Sequence, residues 1–184
     1  YDGDTFGGIP VTKPDHAWEN GVCANCGEST IPDVATFKGG SLRVLKNYDT
    51  ADIRFRYIID ANLPEGAEIT SWYWNYGLSE DNLCYKVEGT NVEEVNGQKI
   101  SNILFTGIKA ENYKDNLYTQ LVVEYELNGV TYTSIDDQIC ARNIYQIATA
   151  VVLDDTATES AKTYAQGLLD YYAENVSEQP EEEK

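Results

Sequence analysis

Thr70-Ser71-Trp72-Tyr73-Trp74-Asn75-Tyr76-Gly77 is the stretch on which the reading of the fold turns. Taken as a strand, it places Trp72, Trp74 and Tyr76 on one face and Ser71, Tyr73 and Asn75 on the other. Both faces therefore carry an aromatic ring. One face must be core. The other is a flat aromatic surface bordered by polar groups, the arrangement with which proteins grip sugars or other proteins. If Trp72 and Trp74 are core together with Tyr76, then Tyr73 and Asn75 look outward.

The segments around this stretch alternate in the same way. In 52–60, Ile53, Phe55, Tyr57 and Ile59 point one way, and Arg54, Arg56 and Ile58 the other. Between them and the tryptophans, Asn62-Leu63-Pro64-Glu65-Gly66 reads as a turn. Upstream, Gly39-Gly40 separates Thr36-Phe37-Lys38 from 41–45, two short strands about a turn or bulge. Downstream, 83–87 and 103–106 read as short strands, and 118–127 as the longest strand. Asn96-Gly97 and Asn128-Gly129 are two-residue hairpin signals.

The C-terminal part changes period. The segment 141–151 reads as a short helix, although its β-branched residues also allow a strand. Thr156-Ala157-Thr158-Glu159 has the form of a capping box. It opens a helix with Ala161, Tyr164, Ala165, Leu168, Leu169 and Tyr172 at helical spacing. The expected fold is mainly β: an antiparallel β-sandwich with a C-terminal helix and a short irregular N-terminal leader. The expected divisions are a leader over 1–33, the sandwich module with its helix over 34–176, and an acidic, disordered tail over 177–184.

Composition narrows the partners. The chain has 184 residues, 42% of them hydrophobic, enough for one domain with a sizeable core. A formal charge of −18 argues against nucleic acid and anionic membranes, because nothing here neutralises a phosphate backbone. No apolar run approaches the roughly 20 residues of a spanning helix, so no membrane insertion is expected. Fourteen Tyr and no Met fit an extracellular surface that buries rings and leaves hydroxyls wet. A chain starting at Tyr1 is read as a processed or trimmed piece.

The leader carries His16-Ala17-Trp18-Glu19-Asn20-Gly21-Val22-Cys23-Ala24-Asn25-Cys26-Gly27. Zinc takes four soft or borderline ligands, and His16, Cys23 and Cys26 supply three. The fourth is not evident; Asp4, Asp15, Glu28 or water are the candidates. The competing reading is a Cys23–Cys26 disulfide or two free thiols. Cys84 and Cys140 are either bridged, closing a long loop worth about 4 kcal/mol, or two buried free thiols, to which the reading leans.

Several of these segments together resemble a module recurring in secreted and cell-wall proteins of gut Firmicutes. The resemblance rests on Gly40-Ser41-Leu42-Arg43, Arg54-Phe55, Tyr76-Gly77, Asn112-Tyr113, the strand from Leu121 to Tyr125, and Arg142-Asn143-Ile144-Tyr145-Gln146-Ile147-Ala148. The leader is similar to zinc-ribbon-like linkers of the same kind of protein, which usually have a further Cys before the His where this chain has Asp15 nearby. The resemblance implies an extracellular or cell-wall-associated accessory role and no catalytic residues.

The sequence thus points to a non-catalytic binding module, with a polysaccharide as the foremost ligand. The candidate residues are Trp72, Tyr73, Trp74 and Asn75, with Glu80, Asp81 and Asn82 able to add hydrogen bonds. The alternative is a protein-interaction, adhesin-like or spacer domain that contacts a surface or host protein. Asp136-Asp137 and Asp154-Asp155 are read as solvated turns and a helix start, not as paired catalytic carboxylates.

Overall fold

The computed structural model describes residues 33–177 together with the two-residue strands β1 (Trp18–Glu19) and β2 (Val22–Cys23). These two pair antiparallel, Trp18 opposite Cys23. The zinc reading falls outside the described residues: His16 and Cys26 are not among them, and only the backbone of Cys23 is. Of the tail, only Ser177 is described, at the end of a π-helical turn over Ala173–Ser177.

The strands that follow are β3 (Thr36–Arg43), β4 (Thr50–Ile58), β5 (Glu68–Gly77), β6 (Tyr85–Glu88), β7 (Val92–Val95) and β8 (Gln98–Lys109). A 3-10 turn (Ala110–Asn112) leads to β9 (Leu117–Leu127), β10 (Val130–Ile135) and β11 (Cys140–Arg142). Two helices close the described chain, α1 (Ile144–Leu153) and α2 (Glu159–Tyr172). One antiparallel sheet has the order β3-β4-β8-β7, and the other β10-β9-β5-β6, with β11 also pairing with β9. The expected β-sandwich with helix at its C-terminal end is the fold.

The inner faces meet in one aromatic core. Ile53, Phe55, Tyr57 and Ile59 are all fully buried, as their alternation requires. Tyr57 packs on Trp74 of the facing sheet, ring centroids 6.3 Å apart. Its hydroxyl shares a 2.7 Å hydrogen bond with Thr119 of β9. Desolvation at this buried site pushes the Tyr57 pKa up, so the phenol keeps its proton and can donate. Phe105 sits edge-on to both Phe55, at 5.7 Å, and Tyr76, at 5.2 Å.

Single-residue bulges keep the apolar residues inside. A strand alternates strictly, so one extra residue exchanges the faces of everything beyond it. On β5, Ile69 lies opposite Tyr125, but Ser71 lies opposite Glu124, leaving Thr70 as the extra residue. Ile69 and the even-numbered Trp72, Trp74 and Tyr76 therefore all join the core. The Thr70 hydroxyl donates to the Glu124 carbonyl at 3.2 Å. On β3, the register shift between Phe37 and Gly39 does the same for Phe37 and Leu42. On β8, the shift lies between Phe105 and Ile108, where Gly107 has φ +68° and donates its N–H to the buried Asp52 carboxylate.

Both hairpin signals are realised, with Asn96 (φ 53°), Gly97 (76°), Asn128 (54°) and Gly129 (77°) in the left-handed region. Several boundaries differ from expectation. Segment 36–43 is one bulged strand, not two. The expected strand at 103–106 is the middle of β8, which at 12 residues is longer than β9 at 11. The ambiguous 141–151 segment splits: Cys140–Arg142 is strand, and Asn143 then caps α1 by accepting the Gln146 N–H at 2.8 Å. The cap of α2 is Thr158, which accepts from Ala161, while Thr156 is tied to Asp154.

The helices pack on β3, β4 and the 3-10 turn. Ile147 of α1 reaches Gly40 on β3, where a Cβ would meet its Cδ1 at 2.6 Å. Arg142 lies over the Phe37 ring, 5.0 Å from its centroid, joining the end of β11 to β3.

Cys84 and Cys140 are free thiols, and Cys84 is exposed, so the expectation that both are buried fails for it. The topology explains why they do not meet. Cys84 adjoins β6, Cys140 is on β11, and β5 and β9 run between. Three strand spacings put them on the order of 14 Å apart, against the roughly 7 Å that a disulfide spans.

The opposite burial of neighbours on β5 gives a stability test. Trp74→Ala should lose about 3–5 kcal/mol of unfolding free energy, and Tyr73→Ala less than about 1 kcal/mol. Urea midpoints measured on the two variants check this; equal losses would contradict the assigned faces.

Candidate functional site

The structure divides the four candidate residues between two surfaces. Trp74 is 2% exposed, a core residue. Trp72 is half-buried, and its indole N–H donates to Ser101 Oγ on β8 at 2.9 Å. Ser101 in turn donates to the Asn91 carbonyl. Gly89 sits against the indole so closely that a Cβ there would overlap it. Trp72 is thus a strut between the two sheets, held by both. Tyr73 and Asn75 lie on the outer face of the five-stranded sheet.

Pairing register shows what surrounds them. Tyr73 lies between Glu88 of β6 and Val122 of β9, and Asn75 between Lys86 and Gln120. Ser71 is opposite Glu124 and donates to its carboxylate at 2.5 Å. Val122, although on the outer face, is only 1% exposed. The outer face therefore carries a ring at its centre with amide, hydroxyl and carboxylate groups on three sides. Gln120 is fixed by donating to the Asp136 carbonyl at 2.9 Å, which steadies its amide beside Asn75.

Lys86 modifies this surface. Its ammonium lies 3.6 Å from the Tyr73 ring centroid and 2.9 Å from Glu88. The Glu88 hydrogen bond pushes the Lys86 pKa up, so the ammonium stays charged. The ammonium occupies one side of the half-buried ring, and a ligand stacking on that side of Tyr73 must displace it. The long side chain is exposed, and a ligand oxygen within its reach would compete with Glu88 for the ammonium.

Gln120 and Lys86 were invisible to sequence reasoning because only strand pairing brings them beside Asn75. Tyr85 was missed as well. It is 56% exposed and stacks on Tyr76 at 5.3 Å, at the sheet edge formed by β6. Glu80, Asp81 and Asn82 are exposed in the β5–β6 connection, where Asn82 and Ser79 form a bridge. None of the described contacts brings them against Tyr73.

Asp136 is not a solvated turn residue. It fills the break between β10 and β11, with its N–H donating to the Leu121 carbonyl and its carboxylate accepting from Gln138 N–H at 2.9 Å. The residue is 4% exposed, and its Oδ2 has no hydrogen-bond partner. Burial pushes its pKa up to about 6, against the Gln138 hydrogen bond and with help from the neighbouring Asp33 and Asp137 carboxylates. Asp154, in contrast, is exposed, and its two bonds from Thr156 hold its pKa down. Burial also raises the Cys140 pKa, keeping that thiol protonated and unreactive. Among the described residues, no three His, Cys, Asp or Glu side chains are grouped as metal ligands.

No family model matches the chain, and no curated protein matches it. Among solved structures, the chain is similar to the solution structure of the carbohydrate binding module of the muscle glycogen-targeting subunit of Protein Phosphatase-1. The similarity covers 59% of this chain and 78% of that one, at 12% identity and a TM-score of 0.29, a level that carries no argument.

The Asp136 carboxyl gives a pH prediction. Its native pKa lies above the unfolded value of about 3.9, so the native state binds the proton more tightly. Its contribution to stability is therefore most favourable below that value and is lost as pH rises through about 6. Asp136→Asn removes this dependence. The gain of the variant over the natural chain, from urea midpoints, should increase between pH 5 and pH 7.5; a gain independent of pH would contradict the assignment.

Proposed function

We propose that this chain is a non-catalytic, extracellular or cell-wall-associated binding module whose ligand is a polysaccharide. The ligand would be held on the outer face of the five-stranded sheet. The observation that carries this reading is the joint outward placement of Tyr73 and Asn75, with Gln120, Ser71 and Glu124 beside them. A sugar ring has an apolar face of C–H groups and a rim of hydroxyls. The Tyr73 ring can take the first, and the amides and carboxylate can take the second. The side chains that define this face belong to paired strands, so little ordering entropy opposes binding.

The charge of the chain supports a neutral ligand over an acidic one. Extracellular placement is supported by the tyrosine-rich, methionine-free composition. Zinc bound by His16, Cys23 and Cys26 remains a proposal for the leader alone and has no part in the sheet-face site.

One observation favours the second reading, a protein-contact or spacer domain. Both tryptophans of the Trp-Tyr-Trp stretch are spent on packing, which leaves only tyrosines, Tyr73 and the Tyr118 that lies opposite Gly77 on β9, as the aromatics described on that face. Affinity electrophoresis against starch, cellulose, xylan and mucin separates the two readings. Glycan binding predicts retardation in at least one gel, reduced about tenfold in affinity by Tyr73→Ala or Asn75→Ala. Unretarded migration in all four gels would exclude the glycan reading and leave the protein-contact one.

A further inference from the structure

A second recess lies on the helical side of the molecule, away from the residues of the sheet face. Tyr48, in the β3–β4 connection, is 36% exposed and rests on α2 at Gly167. A Cβ at Gly167 would come within 2.5 Å of two atoms of the Tyr48 ring. The ring is backed by Tyr164, centroid to centroid 5.8 Å. Tyr48 and Tyr171 are the aromatic walls of a cavity of about 670 Å³ that opens over Gly167.

The polar lining comes from one stripe of α2. Gln166 and Asp170, one turn apart, face into the cavity and are joined by a 2.8 Å hydrogen bond from Gln166 Nε2 to Asp170 Oδ1. Lys162 lies one turn before them on α2, and Glu174 follows in the π-helical turn after it. The core-facing stripe of the helix is a different one, with Tyr164, Ala165 and Leu168. The Gln166–Asp170 stripe is therefore not needed to hold the helix down.

We propose that this recess is a second ligand site, specific for a short segment of a neutral, hydroxyl-rich chain such as a hexose or pentose oligosaccharide. Tyrosine walls suit the C–H face of a pyranose ring. The linked Gln166–Asp170 pair presents an amide and a carboxylate at fixed separation, suited to vicinal hydroxyls, and Lys162 adds a donor. One cation against two carboxylates, Asp170 and Glu174, disfavours phosphate, sulfate and uronate groups. The volume exceeds that of a single sugar, so a segment of an oligosaccharide fits better than a monosaccharide. The ligand class is that of the sheet-face reading, but no residue is shared, so either site can fail without the other. Two sites on one polymer would raise retention through effective concentration.

Gly167→Ala is the sharpest variant. Alanine favours the helix more than glycine does, but its Cβ displaces the Tyr48 ring. Gln166→Ala, at an exposed position, is the companion that leaves the ring in place. The full chain is titrated with maltoheptaose, cellohexaose and xylohexaose while backbone amide shifts are followed by NMR. The expected result is that at least one oligosaccharide shifts amides of 162–171. Both variants should weaken that response at least about fivefold with helical circular dichroism unchanged, and Tyr73→Ala should leave it intact. The proposal is overturned if no oligosaccharide shifts those amides at millimolar concentration, if both variants respond like the natural chain, or if Tyr73→Ala removes the response.

Discussion

Everything in this molecule depends on the parity of β5. Trp74 meets Tyr57 between the sheets and Trp72 bridges to Ser101 with Ile69 on the same inner face, because Thr70 is an extra residue opposite β9. Without that bulge, Ile69 and the even-numbered aromatics would lie on opposite faces. Either an isoleucine or three large rings would then leave the core. Burying rings of this size is worth roughly 1.5–3 kcal/mol each, far more than the ladder hydrogen bond that a bulge disturbs. The same trade appears on β3 and β8. The bulges are how a sequence with imperfect alternation still builds two clean inner faces.

That parity also decides what the chain offers to a partner. Once Trp72, Trp74 and Tyr76 are inside, Tyr73 and Asn75 are outside, and β9 delivers Gln120 and Glu124 beside them. The surface is flat, mixed in polarity and carried on paired strands. The helices, which could have covered a sheet face, instead pack at β3, β4 and the 3-10 turn. They add a recess of their own, where a glycine lets a tyrosine ring lie against a helix.

Much of the architecture was legible from the chain. The alternation of Ile53, Phe55, Tyr57 and Ile59 survives intact because each residue is fully buried. The Asn-Gly pairs gave both hairpins because few other residues tolerate two successive left-handed conformations. What the sequence hid was what depends on a partner strand. Thr70 looks like an ordinary strand residue until β9 is set beside it. Asp136 sits next to Asp137 and Gln138, a polar run that reads as a turn, yet it lies in the seam between β10 and β11. Pairing likewise brings Gln120 beside Asn75, and the absence of a side chain at Gly167 matters only once Tyr48 folds over it. Within the Trp-Tyr-Trp stretch, alternation supplied the two faces but not which one is core.

The central claim is that both tryptophans of that stretch are inside. In a Trp18→Phe variant, Trp72 and Trp74 are the only tryptophans left to fluoresce. Their emission should be blue-shifted and quenched by acrylamide far more slowly in the native protein than in urea. Red-shifted native emission, quenched as fast as in the unfolded chain, would place the indoles in water and contradict the assigned faces of β5.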